Sequence, residues 1–314
     1  MRKLVKLLGV AAACGTFALV AGCGGDKGPT QPKLQNNRLK LGFFNTPAIS
    51  SPWVYQLWAY KDGWQAGPMF RLTTDAHLLD LQGQAYPGDT VTFASLDLKT
   101  CDSLRVTLRT QSSGTDEGLV VLAGPIPGGA SLSVRLESVL IGEVGAGDLR
   151  FVYATPTDVD TSHDNELSGV WFAGGDLVSP GLGSLPALPT GWIFEGWVKH
   201  GGVLLSTGKF LENSGPDLSK KYYAGTGPGF PGEDFLDNDS APAGIIFPFQ
   251  FDLGDTVMIS LEPEEDFEAE QPFLRWYVHE EIMTSLALQP RQAYVLEAMP
   301  TNAWPAANGF IASY

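Results

Sequence analysis

Trp53-Val54-Tyr55-Gln56-Leu57-Trp58 and Trp192-Ile193-Phe194-Glu195-Gly196-Trp197 share one frame: tryptophan, β-branched residue, aromatic, two further positions and a second tryptophan. A glycine follows each, at Gly63 and Gly201, and then a run that closes on phenylalanine, GPMF at Phe70 and STGKF at Phe210. Further out, Leu96-Asp97-Leu98 and the run Leu104 to Leu108 correspond to Phe251-Asp252-Leu253 and Val257 to Leu261. Each copy then reaches an apolar run, GLVVLAGPI (118–126) or PFLRWYV (272–278). Upstream, LKLGFF before the first core matches LSGVWF before the second. Such self-similarity marks a duplicated structural unit. The alternation of Trp53, Tyr55 and Leu57 against Val54, Gln56 and Trp58 predicts a strand with one large aromatic face.

The rest of the chain carries the same signal. Short apolar runs recur between Gly, Pro, Asn and Asp clusters, as in LRVTLR, LSVRLESVLI, WIFEGWV, GIIFPFQF and TVMISLE. This pattern predicts an all-β protein of two tandem, related antiparallel β-sandwich domains. The first repeat is expected over 38–130 and the second over 131–280, followed by a C-terminal extension over 281–314. One helix is expected, Glu280 to Leu288, with Pro290 as its stop. The apolar residues Tyr294, Val295, Leu296, Trp304 and Phe310 of the extension predict a docked terminus, capping the second domain or pairing with an edge strand.

The N-terminus predicts location. Arg2, Lys3 and Lys6 precede an apolar run from Leu7 to Val20, and Val20-Ala21-Gly22-Cys23 follows. A basic start, a short apolar stretch and small residues before the cut mark a secretory signal over 1–22. The cysteine directly after Ala-Gly makes it a bacterial lipoprotein signal, with Cys23 acylated as the first mature residue. The polar stretch 23–37, which includes Gln35-Asn36-Asn37, is expected to be a flexible tether. Glycine rather than aspartate at position 24 points to the outer membrane, facing the periplasm or the cell surface. Removing 1–22 leaves 17 basic against 35 acidic residues, a net charge of −18. Such a balance argues against nucleic acid as a partner. With Cys14 cleaved off and Cys23 acylated, Cys101 is the remaining thiol, so no internal disulfide is expected. Cys101 reads as a turn or strand-edge residue.

Tyr55-Gln56-Leu57-Trp58, followed by Lys61-Asp62-Gly63 and Gly67 to Phe70, resembles the extracytoplasmic C-terminal domain of anti-sigma-K factors. In that family a Tyr-x-Leu-Trp strand leads through an Asp-Gly turn to a Gly-x-Phe strand. The second copy fits through Phe194-Glu195-Gly196-Trp197, Ser206-Thr207-Gly208-Lys209-Phe210 and Ile259-Ser260-Leu261-Glu262-Pro263. The resemblance, over roughly 38–280, implies a β-sandwich. It brings no catalytic residues, and a lipobox stands where a sigma-binding domain and a membrane helix would be.

Chemical motifs are sparse. Ser206-Thr207-Gly208-Lys209 matches S-x-x-K, yet it lies between strands and its partner motifs are missing. His77, His163, His200 and His279 are scattered, and His279-Glu280-Glu281 fails as a zinc helix because residue 283 is methionine. A composite site is the zinc reading that remains. Two acidic loops, Asp158/Asp160/Asp164/Glu166 and Glu233/Asp234/Asp237/Asp239, carry oxygen ligands suited to calcium, with solvated loops as the plainer reading. The run Glu262 to Glu270 reads as a strand-to-strand loop. Trp58 and Trp197 are either core or stacking platforms for a ligand.

The sequence therefore predicts a membrane-anchored, non-enzymatic envelope module with no cofactor, binding an envelope protein or glycan. The alternatives are a hydrolase of polysaccharide or peptide using acidic-loop carboxylates, and calcium-dependent adhesion.

Overall fold

Strand-forming residues and turn punctuation alternate along the whole chain, and the computed structural model is accordingly all-β. It describes residues 36–114, 116–128, 132–140, 149–159, 164–252, 254–265, 271–280 and 288–312. The signal segment and Cys23 lie outside these, as do Asp160, His163, most of the expected 280–288 helix and residues 266–270 of the acidic run. Glu280 itself ends a strand.

Among the described residues, seventeen strands build two antiparallel sheets. In chain order the first eight are β1 (Arg38–Phe44), β2 (Trp53–Tyr60), β3 (Trp64–Leu72), β4 (Leu78–Leu79), β5 (Thr90–Thr92), β6 (Ser103–Thr110), β7 (Leu119–Pro125) and β8 (Ser133–Ser138). The next eight are β9 (Leu149–Tyr153), β10 (Gly169–Trp171), β11 (Trp192–His200), β12 (Val203–Phe210), β13 (Gly232–Asp234), β14 (Thr256–Pro263), β15 (Leu274–Glu280) and β16 (Ala293–Ala298), and β17 (Ala306–Ala312) follows. The first sheet runs β4-β3-β2-β6-β7-β8-β17-β1-β5 and the second β12-β11-β14-β15-β16-β9-β10-β13. Strand β3 approaches β5, and β12 approaches β13, so each sheet nearly closes on itself.

Apart from the two-residue β4, which has no counterpart, the two orders coincide if β17 stands where β9 does. The correspondence extends to irregularities. The β2–β3 and β11–β12 hairpins shift register at the second tryptophan, and the β6–β7 and β14–β15 pairs shift at Val106/Thr107 and Ile259/Ser260. The two sheets thus share the positions of their register shifts as well as their strand order, and such shifts bend and twist a strand locally.

The sheet boundaries differ from the repeat boundaries read from the sequence. Strand β8 lies beyond residue 130 yet pairs with β7 in the first sheet. The 281–314 stretch is no appendage: it supplies β16 to the second sheet and β17 to the first. Strand β17 pairs with β1 along all seven of its residues, Arg38↔Ala312 through Phe44↔Ala306. Local sequence signals cannot announce a pairing between strands so far apart in the chain.

The expected tether also ends earlier than 37. Asn36 accepts from the Leu98 amide, and Asn37 exchanges hydrogen bonds with the Phe93 backbone. Polar docking, which needs no apolar cluster, holds these two residues. Inner faces of both sheets feed one contiguous core, from Leu39 and Phe43 through Tyr55 and Phe70 to Phe194, Phe235 and Trp276. All described residues belong to one compact unit, Leu34–Tyr314.

Candidate functional site

The two marker tryptophans are buried, Trp58 at 6% and Trp197 at 1% exposure. Each indole donates to a hydroxyl on the neighbouring strand, Trp58 Nε1 to Thr107 Oγ1 at 2.9 Å and Trp197 Nε1 to Ser260 Oγ at 2.8 Å. A buried ring with its N–H satisfied is a packing element. The stacking role considered for Trp58 and Trp197 is therefore corrected: neither presents a face to solvent.

Around these rings the copies diverge. In the first, Arg109 Nη1 donates to Gln56 Oε1 at 2.7 Å and Nη2 to the Gly114 carbonyl at 2.8 Å, while Arg105 lies 3.8 Å over the Trp64 ring and pairs with Glu117. In the second, Ser206 Oγ donates to Glu195 Oε1 at 2.5 Å, and Glu262 Oε1 accepts from the Phe273 amide at 2.7 Å and from Ser260 Oγ. Burial pushes the Glu262 carboxyl up to about 8, with the Glu195 charge adding to the rise. Ser206 and Lys209 of the S-x-x-K match lie on β12, and Lys209 Nζ reaches the Pro263 carbonyl at 3.4 Å. Glu262 belongs to β14 rather than to the loop expected to start there.

The second acidic loop is also more ordered than a solvated loop. Glu233 and Asp234 sit on β13 with no exposure. Successive strand residues point to opposite faces. Glu233 accepts from the Lys221 and Tyr222 amides, whereas Asp234 accepts from Thr157 and from Trp171 Nε1 at 2.5 Å. Asp237 caps a 3-10 turn, and Asp239 is exposed. Burial raises Glu233 to about 8 and Asp234 to about 6.

Asp217, which no motif marks, joins them. Its carboxylate accepts from the Gly232 amide at 2.9 Å, and a Cβ on Gly208 (φ +112°) would stand 2.5 Å from its Cγ. The side chain thus bridges the gap between β12 and β13, at a place only glycine leaves open. Burial raises it to about 7. In the first acidic loop, the Asp164 carbonyl accepts from Gln250.

His77 Nδ1 lies 3.1 Å from Asp89 and His200 Nδ1 lies 2.8 Å from Asp255. Cys101 is a free, buried thiol at the end of a 3-10 turn just before β6, and burial pushes its titration up.

A cleft of about 270 Å³ opens where the copies meet. Trp53, Arg109, Ser113, Asp116, Glu264 and Glu265 are among its walls. Gly191 (φ +85°) lets the second copy approach the first here, since a Cβ would stand 2.5 Å from Leu119 Cδ2. The Asp116, Glu264 and Glu265 carboxylates are exposed, and Arg109 is held by Gln56 and Gly114. The arrangement can take a ligand bearing amines or hydroxyls. The sequence offers Glu264 and Glu265 only as part of a strand-to-strand loop, because the cleft exists only once two distant loops meet.

Comparison with protein-family models, curated proteins and solved structures finds no match for this chain.

Proposed function

We propose that this protein is a lipid-anchored module of the bacterial envelope that binds, without turning over, an envelope protein or glycan. The cleft between the copies carries the reading. It offers three exposed carboxylates, an aromatic wall and a guanidinium already positioned by neighbours. Convergent polar groups at a junction between repeats are the usual makings of a binding site. Cys23 would supply the anchor, with two or more acyl chains giving stable attachment. The anti-sigma-K-like motifs support an extracytoplasmic sandwich used for recognition, without the sigma-binding part.

The hydrolase reading is less well supported. The four strongly raised carboxyls, Asp217, Glu233, Asp234 and Glu262, do not line the cleft between the copies, and each accepts a backbone amide hydrogen bond. A catalytic acid has to reach substrate as well as hold its proton.

Crosslinking in the native envelope, followed by recovery of the full chain, tests the proposal. The D116N/E264Q/E265Q protein should lose a partner that the wild type captures. An unchanged set of partners would contradict the assignment of the cleft. Mass spectrometry of the mature N-terminus tests the anchor, and an unmodified Cys23 would overturn it.

A further inference from the structure

The end of β11 carries a second arrangement, away from the cleft. His200, Asp252 and Asp255 each offer a ligand atom, all within 4.8 Å of one another, and among the described residues this is the one group of its kind. The three come from two elements: the last residue of β11 and the turn that leads into β14.

The ring of His200 is held. It stacks on Phe249 with centroids 4.1 Å apart and planes 13° from parallel, and Phe251 meets it edge-on. Asp255 is buried, lies 2.8 Å from His200 Nδ1, and accepts from the Asp252 amide at 2.9 Å. Asp252 is exposed and His200 retains 21% side-chain exposure, so the group opens to solvent. Ring stacking thus fixes the imidazole, and a backbone amide fixes the Asp255 carboxylate.

We propose that His200, Asp252 and Asp255 form a site for a divalent transition-metal ion, of which zinc is the representative. An imidazole nitrogen with two carboxylate oxygens suits zinc and its first-row neighbours, whereas calcium takes oxygen alone. Metal–ligand bonds of about 2.0–2.2 Å place ligand atoms some 3–4 Å apart, within the span seen here. Two carboxylates balance the ion's charge. Three protein ligands leave a fourth position for water or for a group from a partner.

The first copy provides an internal control. Lys61 stands three residues beyond Trp58, as His200 stands three beyond Trp197. Its Nζ donates to Thr100 Oγ1 at 2.9 Å, tying the same strand end to the same turn with lysine and threonine in the places of His200 and Asp255, while Asp97 stands in the place of Asp252. The corner is thus a structural tie in one copy, and in the other the tie is made of ligating groups.

The test is titration of the untagged full-length protein with zinc by calorimetry and thermal denaturation, for wild type, H200K and D252N. His200→Lys copies the first repeat, and Asp252→Asn changes an exposed residue, so at least one variant reports on the folded protein. The expected result is one zinc per chain with a raised melting temperature, affinity at least tenfold weaker in D252N, and no shift in H200K. Cobalt in place of zinc should give visible bands of a low-coordinate nitrogen/oxygen site. Three results would overturn the proposal: no binding by the wild type, binding indifferent to both substitutions, or calcium binding as tightly as zinc.

Discussion

The outer faces of β2–β6 and β11–β14 carry the same tryptophan–hydroxyl bond on the same bulged frame, yet opposite charge chemistry beside it. The first copy buries Arg109 against Gln56, a permanent cation held by a neutral acceptor. The second buries Glu195 and Glu262, and burial raises the Glu262 carboxyl to about 8. Both copies keep the buried ring of the frame and its indole–hydroxyl bond. The polar interior differs, each copy supplying its own partners for the charge it buries.

The buried carboxyls of the second copy carry this difference furthest. Asp217, Glu233, Asp234 and Glu262 all belong to the second copy, and burial raises each, to about 7, 8, 6 and 8. In the first copy Asp89 goes the other way: burial would raise it, but the Leu78 amide and His77 hold it below its ordinary value. A carboxyl raised in the folded state binds more protons folded than unfolded. Its contribution is complete below the unfolded pKa of about 4 and is lost as pH rises through the folded value. The second copy should therefore weaken from about pH 4 to 8, while Asp89 contributes in the opposite sense.

The largest expected effect comes from removing β17. Truncation after residue 303 leaves β1 and β8 as unpaired edges in the middle of the first sheet. The first sheet should lose cooperative unfolding and the chain should aggregate, since exposed flat edges recruit other chains. A soluble, cooperatively folding truncation, judged by calorimetry, would break the equivalence of β17 and β9.

Next come the marker rings. Trp58→Ala and Trp197→Ala should each cost about 3–5 kcal/mol in urea denaturation, because a large buried ring is lost and the Thr107 or Ser260 hydroxyl loses its indole donor. Costs that differ by more than about 2 kcal/mol would mean the two frames are not equivalent. Smaller again, Arg109→Gln should cost about 2–3 kcal/mol by removing charge-assisted bonds to Gln56 and Gly114. That cost should be the same at pH 5 and pH 8, as a guanidinium stays charged throughout.

What the sequence could and could not show follows from the range of each signal. Trp53 to Trp58 and Trp192 to Trp197 state strand, face and duplication within six residues, so the all-β fold was legible. The role of the tryptophan side chains was not, because burial of Trp197 depends on Ser260, 63 positions away. The acidic run PGEDFLDNDS looked solvated because charge usually is. Glu233 and Asp234 are instead buried by partners at 157, 171, 221 and 222. His200 and Asp255 lie 55 positions apart, a pairing no spacing rule encodes.

The difference between the copies is tested most directly by urea denaturation of wild type and Glu262→Gln at pH 5 and pH 8. Glutamine copies the protonated acid and still accepts from Phe273 and Ser260. The wild type should be more stable at pH 5. The variant should match it there and exceed it at pH 8 by on the order of 1 kcal/mol or more. A wild type that gains stability toward pH 8, or a variant that falls with pH as steeply as the wild type, would contradict a second copy built on buried, protonated carboxyls.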